Sequence, residues 1–506
     1  KIDSEILTTK FSIIDESRSP ASRQPFAMNP ERDTMRVTHH DDFMAGARRV
    51  EVDSMGEIEV DESRLWGAQT QRSLENFAIS SERMPVEVIH AFGTLKVACA
   101  RVNLALGKVS ASNCELIIRA AEEVRSGLLD EHFPLVVWQT GSGTQTNMNV
   151  NEVISNRANE SCGQARGSKT PVHPNDHVNC SQSSNDTFPT AMHLSAAEAV
   201  VTRLLPQAER LLSTLRSKAR QFATVVKIGR THLMDATPVS VGQEFGGYAQ
   251  QVENGIRAVK GALPSLYEVA LGGTAVGTGL NTHPQWSTMV AAELASLTGL
   301  PFVSAPNKFE ALSAHDACVE MSSALKRLAV SLFKIGSDLR LSASGPRCGL
   351  QELALPANEP GSSIMPGKVN PTQVEALTMA CVQIIGNDVA ISMAGTQGHF
   401  QLNVFKPVMI YNLLLSIRVL GDVAGSFEEH CVRGVVVNKA VVRKNLHSSL
   451  MLVTALNQHI GYDKSALVAK EAYKSGGTLK EAVVKLGFMS GAEFDRAVDP
   501  IAMCNL

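Results

Sequence analysis

Gly361-Ser362-Ser363-Ile364-Met365-Pro366-Gly367-Lys368-Val369-Asn370-Pro371 carries two Gly, two Pro, two Ser, one Lys and one Asn in eleven residues. Gly permits close backbone approach and positive φ, while Pro fixes φ and keeps the loop from closing into helix. Asn370 followed by Pro371 reads as an N-cap and a first helical position, opening a helix from Pro371 to about Ile385. A helix start offers unpaired N–H groups and partial positive charge, and Lys368 adds a full charge beside it. Hydroxyls, a cation and a helix N-terminus together suit an anionic ligand. Composition alone also fits an ordinary Gly/Ser/Pro surface loop. A phosphate-binding P-loop does not fit: the spacing from Gly361 to Gly367-Lys368 is one residue too long, Val369 stands where Ser or Thr is needed, and no β-run precedes it.

Three more polar segments stand ahead of helical patterns. They are Gly141-Ser142-Gly143-Thr144-Gln145-Thr146-Asn147, then Ser181 to Thr187 ahead of a helix beginning near Pro189, then Gly229 to Pro238. In the last, Thr237-Pro238 reads as another cap-then-Pro start, of a helix running to about Lys260. Capping accounts for any one such cluster. Four of them, each with more polar groups than a cap needs, point to a shared site for a polyanion. His232 is the one imidazole in the four, and its ordinary pKa of roughly 6.5 makes it the natural proton carrier. His173-Pro174-Asn175-Asp176 reads as an Asx-type turn.

The rest of the chain narrows the class. At 506 residues the length allows roughly three domains. Net charge is −3 with Lys and Arg scattered, which argues against nucleic acid or membrane partners. No uninterrupted apolar run reaches membrane-spanning length. The nine Cys include no C-x-x-C pair, so no metal cradle is expected, and an odd count at wide spacing suits free thiols in a reducing compartment. No residue cluster asks for an organic cofactor either. Residues 1–48 mix charges without periodicity and read as a disordered extension, with too many acids for a transit peptide. Arg49 to Val60 alternates around Met55-Gly56 as a small hairpin. Helical patterns follow over 85–106, 113–129 and 144–161. Longer stripes come next: Leu204, Ala208, Leu211, Leu215, Ala219 and Phe222; then Leu325, Leu328, Leu332, Ile335 and Leu339; then Val408, Tyr411, Leu415 and Val419. Such stripes read as bundle core. Shorter helices around 464–475 and 478–486 suggest a small terminal domain.

The stretch from Gly361 to Pro371 resembles the signature of the fumarase/aspartase superfamily of helical lyases. Gly141 to Asn147, His173 to Asp176, Ser181 to Asp186 and Thr231 to Pro238 match it in the same order, so the similarity runs from about Arg49 to Phe494. Within the superfamily the class II fumarases are the most similar. Aspartate ammonia-lyases usually carry Gln where this chain has His232, and Ser-Thr-Asn where it has Ser183-Ser184-Asn185. Thr170 departs from the Arg that some bacterial fumarases carry there, which leaves the details of a peripheral anion site open.

The resemblance implies a mainly α fold of three domains: 49–184, a central long-helix bundle over 185–440, and a small C-terminal domain over 441–506. It also implies a homotetrameric helical core with each active site drawn from three chains. The implied reaction is reversible hydration of fumarate to (S)-malate through an aci-carboxylate, in the mitochondrial matrix or cytoplasm. Ser362 is then the base at carbon and His232 the group that handles hydroxide or water, although residues alone leave the order of acid and base open. Ser142, Gly143, Thr144, Ser183, Ser184, Asn185 and Thr231 would hold substrate carboxylates. Ser363, Lys368 and Asn370 would face the developing charge, with Glu375 in support. His173, Asn175 and Asp176 would form a second carboxylate site near the entrance. Rival expectations are an aspartate ammonia-lyase and a non-catalytic structural member of the superfamily.

Overall fold

The computed structural model describes residues 47–506, a single compact unit. The expected extension lies outside the described residues but for its last two. The chain opens with a hairpin, β1 (Arg48–Asp53) and β2 (Gly56–Asp61), paired Arg49 to Val60 and turning at Ser54-Met55. Its alternation is as expected. The face it buries is a polar one on β1: Arg49 and Glu51 pair inside at 2.7 Å while Val50 and Val52 face outwards.

Helices then dominate. α1 (Ala68–Asn76), α2 (Val86–Ala105), α3 (Ala111–Arg125) and α4 (Thr144–Glu160) lead into α5 (Ser184–Ala199) and α6 (Leu205–Gln221). A second hairpin, β3 (Val226–Thr231) and β4 (Met234–Ser240), precedes α7 (Val241–Leu266). After α8 (Trp286–Thr298) and α9 (Lys308–Ser313) come three long helices: α10 (Asp316–Ser342), α11 (Thr372–Gly395) and α12 (Lys406–His430). Among the described residues the strands occur only as two-stranded pairs, so the fold is mainly α.

The bundle forms where α7 packs on α6 and α10, and α11 packs on α10 and α12. Leu325, Leu328, Leu332, Ile335 and Leu339 are buried along α10 as their spacing predicts. Gly255 of α7 lets that helix approach closely, since a Cβ there would lie 2.7 Å from Leu328. On α12 the expected seam is one position off. Val408, Tyr411, Leu415 and Val419 are half-buried, whereas Met409, Ile410, Leu413, Leu414, Ile417 and Leu420 form the core. A helix apolar nearly all round has no unique stripe to read.

α11 and α12 are also long and apolar enough to cross a membrane by composition, which a search for an uninterrupted run overlooks. α12 is mostly buried in the bundle, and α11 is buried along one side only. Beyond the bundle, Leu446, Leu452, Leu456, Val468 and Val483 build a separate small core that also takes in Ile228 of β3. All nine cysteines are free.

Candidate active site

Two helix starts meet first. Gly143 takes φ +77° as the N-cap of α4, and a Cβ there would lie 2.1 Å from the Phe188 ring, so only glycine lets α4 begin this close to α5. Ser183 caps α5, accepting from Asn185 N at 3.2 Å, while Asp186 accepts from Ser183 N in a capping box. α5 therefore begins at Ser184, five residues before the expected start, and Pro189 lies inside it. Between the two starts runs a chain of hydroxyls: Ser142 to Thr144 at 2.8 Å, and Thr144 to Ser184 at 2.8 Å. Asn185, expected to meet substrate, donates Nδ2 to the Ala275 carbonyl at 2.8 Å.

His173 and its neighbours are not an Asx turn. The imidazole does the capping: His173 Nδ1 accepts from both Asn175 N and Asp176 N at 3.2 Å, ahead of one wide helical turn, Pro174–Val178. Burial, partly countered by Asp176, holds the His173 pKa down, which suits an accepting ring nitrogen. Asn175, Asp176, Ser183 and Lys108 line one cavity of about 490 Å³, so the outer turn and the α5 start share a space.

His232 stands at a hairpin tip, not at a helix entrance. His232 and Leu233 take φ +57° and +62°, the two left-handed positions of a tight turn between β3 and β4. Two non-glycine residues in that region are costly, by on the order of 1 kcal/mol or more each. Thr237-Pro238 belongs to β4, and the true cap of α7 is Ser240, in a capping box with Gln243. Thr231 and His232 are exposed, and the His232 ring has no hydrogen-bond partner among the described residues.

At its base this hairpin is fixed by Glu352, which is 1% exposed. Its carboxylate accepts from Arg230 at 2.7 and 2.9 Å and pairs with Lys227 at 3.1 Å. Burial pushes the Glu352 pKa up, but the Arg230 bond and the Lys227 charge overcome this and hold it below the usual value. A lowered folded-state pKa contributes stability above the ordinary carboxylate range, lost as pH falls through the folded value. Glu352→Gln is expected to cost about 3 kcal/mol at most in urea unfolding, because it takes the paired charge from half-buried Arg230 and leaves buried Lys227 only its pair with Glu244 at 3.1 Å. That loss should shrink in acid, where the native carboxylate is itself protonated.

The 361–371 loop closes on itself. Gly361 N donates to Lys368 O at 2.9 Å and Asn370 Nδ2 to Gly361 O at 2.5 Å. Asn370 thus ties the loop's ends together, and Pro371, not Asn370, is the N-cap of α11. α11 runs ten residues past Ile385, to Gly395. Ser362 Oγ accepts from Ile364 N at 3.3 Å and Met365 N at 3.0 Å. Ser363, Lys368 and Glu375 are exposed, and Lys368 Nζ has no partner among the described residues.

Within one chain, then, Ser142, Gly143, Thr144, Ser183, Ser184 and Asn185 come together. Asn175 and Asp176 adjoin them. Among the described residues, no hydrogen bond or ion pair joins this group to the His232 tip or to the 361–371 loop. Sequence reasoning passed over two buried charges beneath the α5 start. Asp186 accepts from Ser183, Gly272 and Thr274 N–H groups, each at 2.9 Å, and Lys96 lies under the same turn. An acid three residues after a Ser cap is a readable sign of the first. Lys96 sits in an apolar helix with no local sign.

The pattern of the family described as Lyase matches residues 56–386, and that of the Fumarase C C-terminus matches 452–505. "Fumarate hydratase class II" of Thermosynechococcus vestitus is 59% identical over 89% of this chain and 96% of its own length. The chain belongs to the class II fumarate hydratase family. "Fumarate hydratase, mitochondrial" of Danio rerio is likewise 59% identical, over 90% of this chain and 89% of that one. The crystal structure of class II fumarase from Schistosoma mansoni superposes with a TM-score of 0.89 at 45% identity, covering 90% of this chain and 99% of that one. The mainly α fold is thus the family's fold, and the two rival expectations are not favoured.

Proposed function

We propose that this protein hydrates fumarate reversibly to (S)-malate, at sites that neighbouring copies of the chain complete. One observation carries the reading. The hydroxyl cluster, the imidazole tip and the Ser/Lys loop are all present, yet among the described residues of a single chain no hydrogen bond or ion pair links them, and the tip and the loop are largely exposed. An exposed apolar stripe on α11 supports such an assembly. On α11, Met379, Val382, Val389 and Met393 recur along one side and are each about 60% exposed or more, with Gly386 open in their midst. A large unpartnered apolar stripe on a long helix marks an interface. A second, third and fourth copy of α11 would cover it, giving a homotetramer.

In that assembly Ser142, Thr144 and Ser184 receive one substrate carboxylate at the paired starts of α4 and α5, where helix partial charges favour an anion. Thr231 and Asn185 add donors. Lys368, Asn370 and the Ser363 N–H face the charge that develops on the other carboxylate when the proton leaves carbon. Ser362 takes that proton. The Ile364 and Met365 N–H groups already aimed at its oxygen favour the alkoxide form. His232, held out on its strained turn, handles hydroxide or water, and Glu375 supports the cations. His173, Asn175 and Asp176 serve as an outer carboxylate stop on the way in. The reading divides the chain into modules at 49–184, 185–440 and 441–506, and the small core built mostly from residues after Val442, joined by Ile228 of β3, supports the last boundary. Nine free thiols suit the mitochondrial matrix or cytoplasm.

Malate and, separately, aspartate should be supplied while fumarate absorbance is followed. Fumarate is expected to appear from malate and not from aspartate. Ammonia release from aspartate without malate turnover would overturn the hydratase, and no turnover of any four-carbon dicarboxylate would favour a structural role.

A further inference from the structure

Lys96 is 0% exposed in the middle of α2, and among the described residues no carboxylate pairs with it. Its ammonium donates to three amide oxygens: Gln182 Oε1 at 2.8 Å, Asn147 Oδ1 at 3.0 Å and Asn179 Oδ1 at 3.2 Å. Asn147 stands one helical turn beyond Thr144 on α4, and Gln182 stands just ahead of Ser183 and Ser184. The ammonium therefore bridges the two helix starts that carry the hydroxyl chain, from beneath. Asp186 is the buried acid that feels Lys96, and three backbone N–H groups already occupy it. A buried cation without a contacting anion costs several kcal/mol, so a fold that needed only a spacer would do better with an apolar side chain.

We infer that Lys96 is a positioning residue whose buried positive charge, projected through the paired starts of α4 and α5, sets the affinity of the site for a dicarboxylate. The inference rests on the anion site proposed above. A unit charge roughly 10 Å from a carboxylate, at an effective dielectric constant of about 20, is worth about a tenfold change in affinity. Asn147 Oδ1 still accepts from Thr187 without Lys96, and Asn179 Oδ1 from Asn147 and Asn151, so loss of the charge strands only Gln182 Oε1. Lys96→Gln removes the charge and keeps an N–H donor on a side chain one atom shorter. Burial also lowers the Lys96 pKa to about 8, with Cys99 and Asp186 as the titratable groups that raise it in part.

The test is calorimetric titration of the full-length protein with succinate, a dicarboxylate that cannot react, alongside fumarate hydration kinetics. Lys96→Gln is expected to weaken succinate about tenfold and raise KM for fumarate in parallel, with kcat changed less than about threefold. A purely structural clamp would lower kcat and melting temperature instead. Unchanged succinate affinity in the folded variant overturns the inference while wild-type turnover still upholds the hydratase. Weakened succinate binding without wild-type turnover does the reverse. Should Lys96→Gln fail to fold, Lys96→Met, an uncharged side chain of similar length, is titrated instead: about tenfold weaker succinate binding supports the inference, and unchanged affinity overturns it.

Discussion

Ser362→Ala and His232→Asn are each expected to slow malate dehydration by about 10²–10⁴-fold, the usual worth of a positioned acid or base, with little change in unfolding free energy. Both residues are partly or fully exposed at a loop and a turn, where surface substitutions move stability by only about 0.5 kcal/mol. The stronger expectation concerns mixtures. Among the described residues of one chain no hydrogen bond or ion pair joins the His232 tip to the 361–371 loop, and in the proposed site these residues come from different copies. Refolding the two inactive variants together should then return a measurable share of wild-type turnover, because some sites pair an intact Ser362 loop with an intact His232 tip. Refolding either variant alone returns none. If the co-refolded mixture stays as inactive as its parts, the two residues act from the same chain and the shared site is wrong. Should either single variant keep near-normal turnover, its chemical role is wrong.

The long helices were legible because burial repeats. Leu325 to Leu339 recur at three- and four-residue steps, and the core takes each of them. The site was legible as residue types but not as geometry, and the reason is local. Thr237-Pro238 imitates a cap followed by a helix, yet Ser240 and Gln243 form the better capping box, and the residues before them pair as strands. Only that pairing turns His232 from a helix-entrance residue into a hairpin tip. Asn370 imitates a cap as well, but its amide is drawn to the Gly361 carbonyl, a contact that depends on how the loop closes. His173 replaces the expected Asx side chain as the acceptor because its Nδ1 reaches the same N–H groups. The buried charges Lys96 and Glu352 were invisible for a different reason. Their partners stand far away in sequence, and nothing in an apolar helix or a short connecting bend advertises a cation or an acid that will be enclosed.

A carboxylate placed at Val382 is expected to dissolve the assembly and, with it, all turnover. Val382 is 60% exposed in the isolated chain, on the side of α11 opposite Leu377, Cys381 and Ile384, so Val382→Asp leaves the bundle's own core untouched. Its cost falls on the contact between copies. There the same substitution repeats in every chain and brings several carboxylates into one apolar layer, each without a partner and each costing several kcal/mol to dehydrate. Sedimentation should show a smaller species with unchanged helical circular dichroism, because α11 still packs on α10 and α12. Turnover should vanish as well, although every proposed catalytic group is intact, since His232 and Ser362 are no longer brought together. Tyr473→Asp serves as the control: Tyr473 is 81% exposed on the helix Tyr462–Ser475, away from the stripe, and its replacement should leave both size and rate alone. A Val382→Asp protein that sediments and turns over like wild type would mean that another face brings the chains together. An assembly lost with turnover retained would return the whole site to one chain.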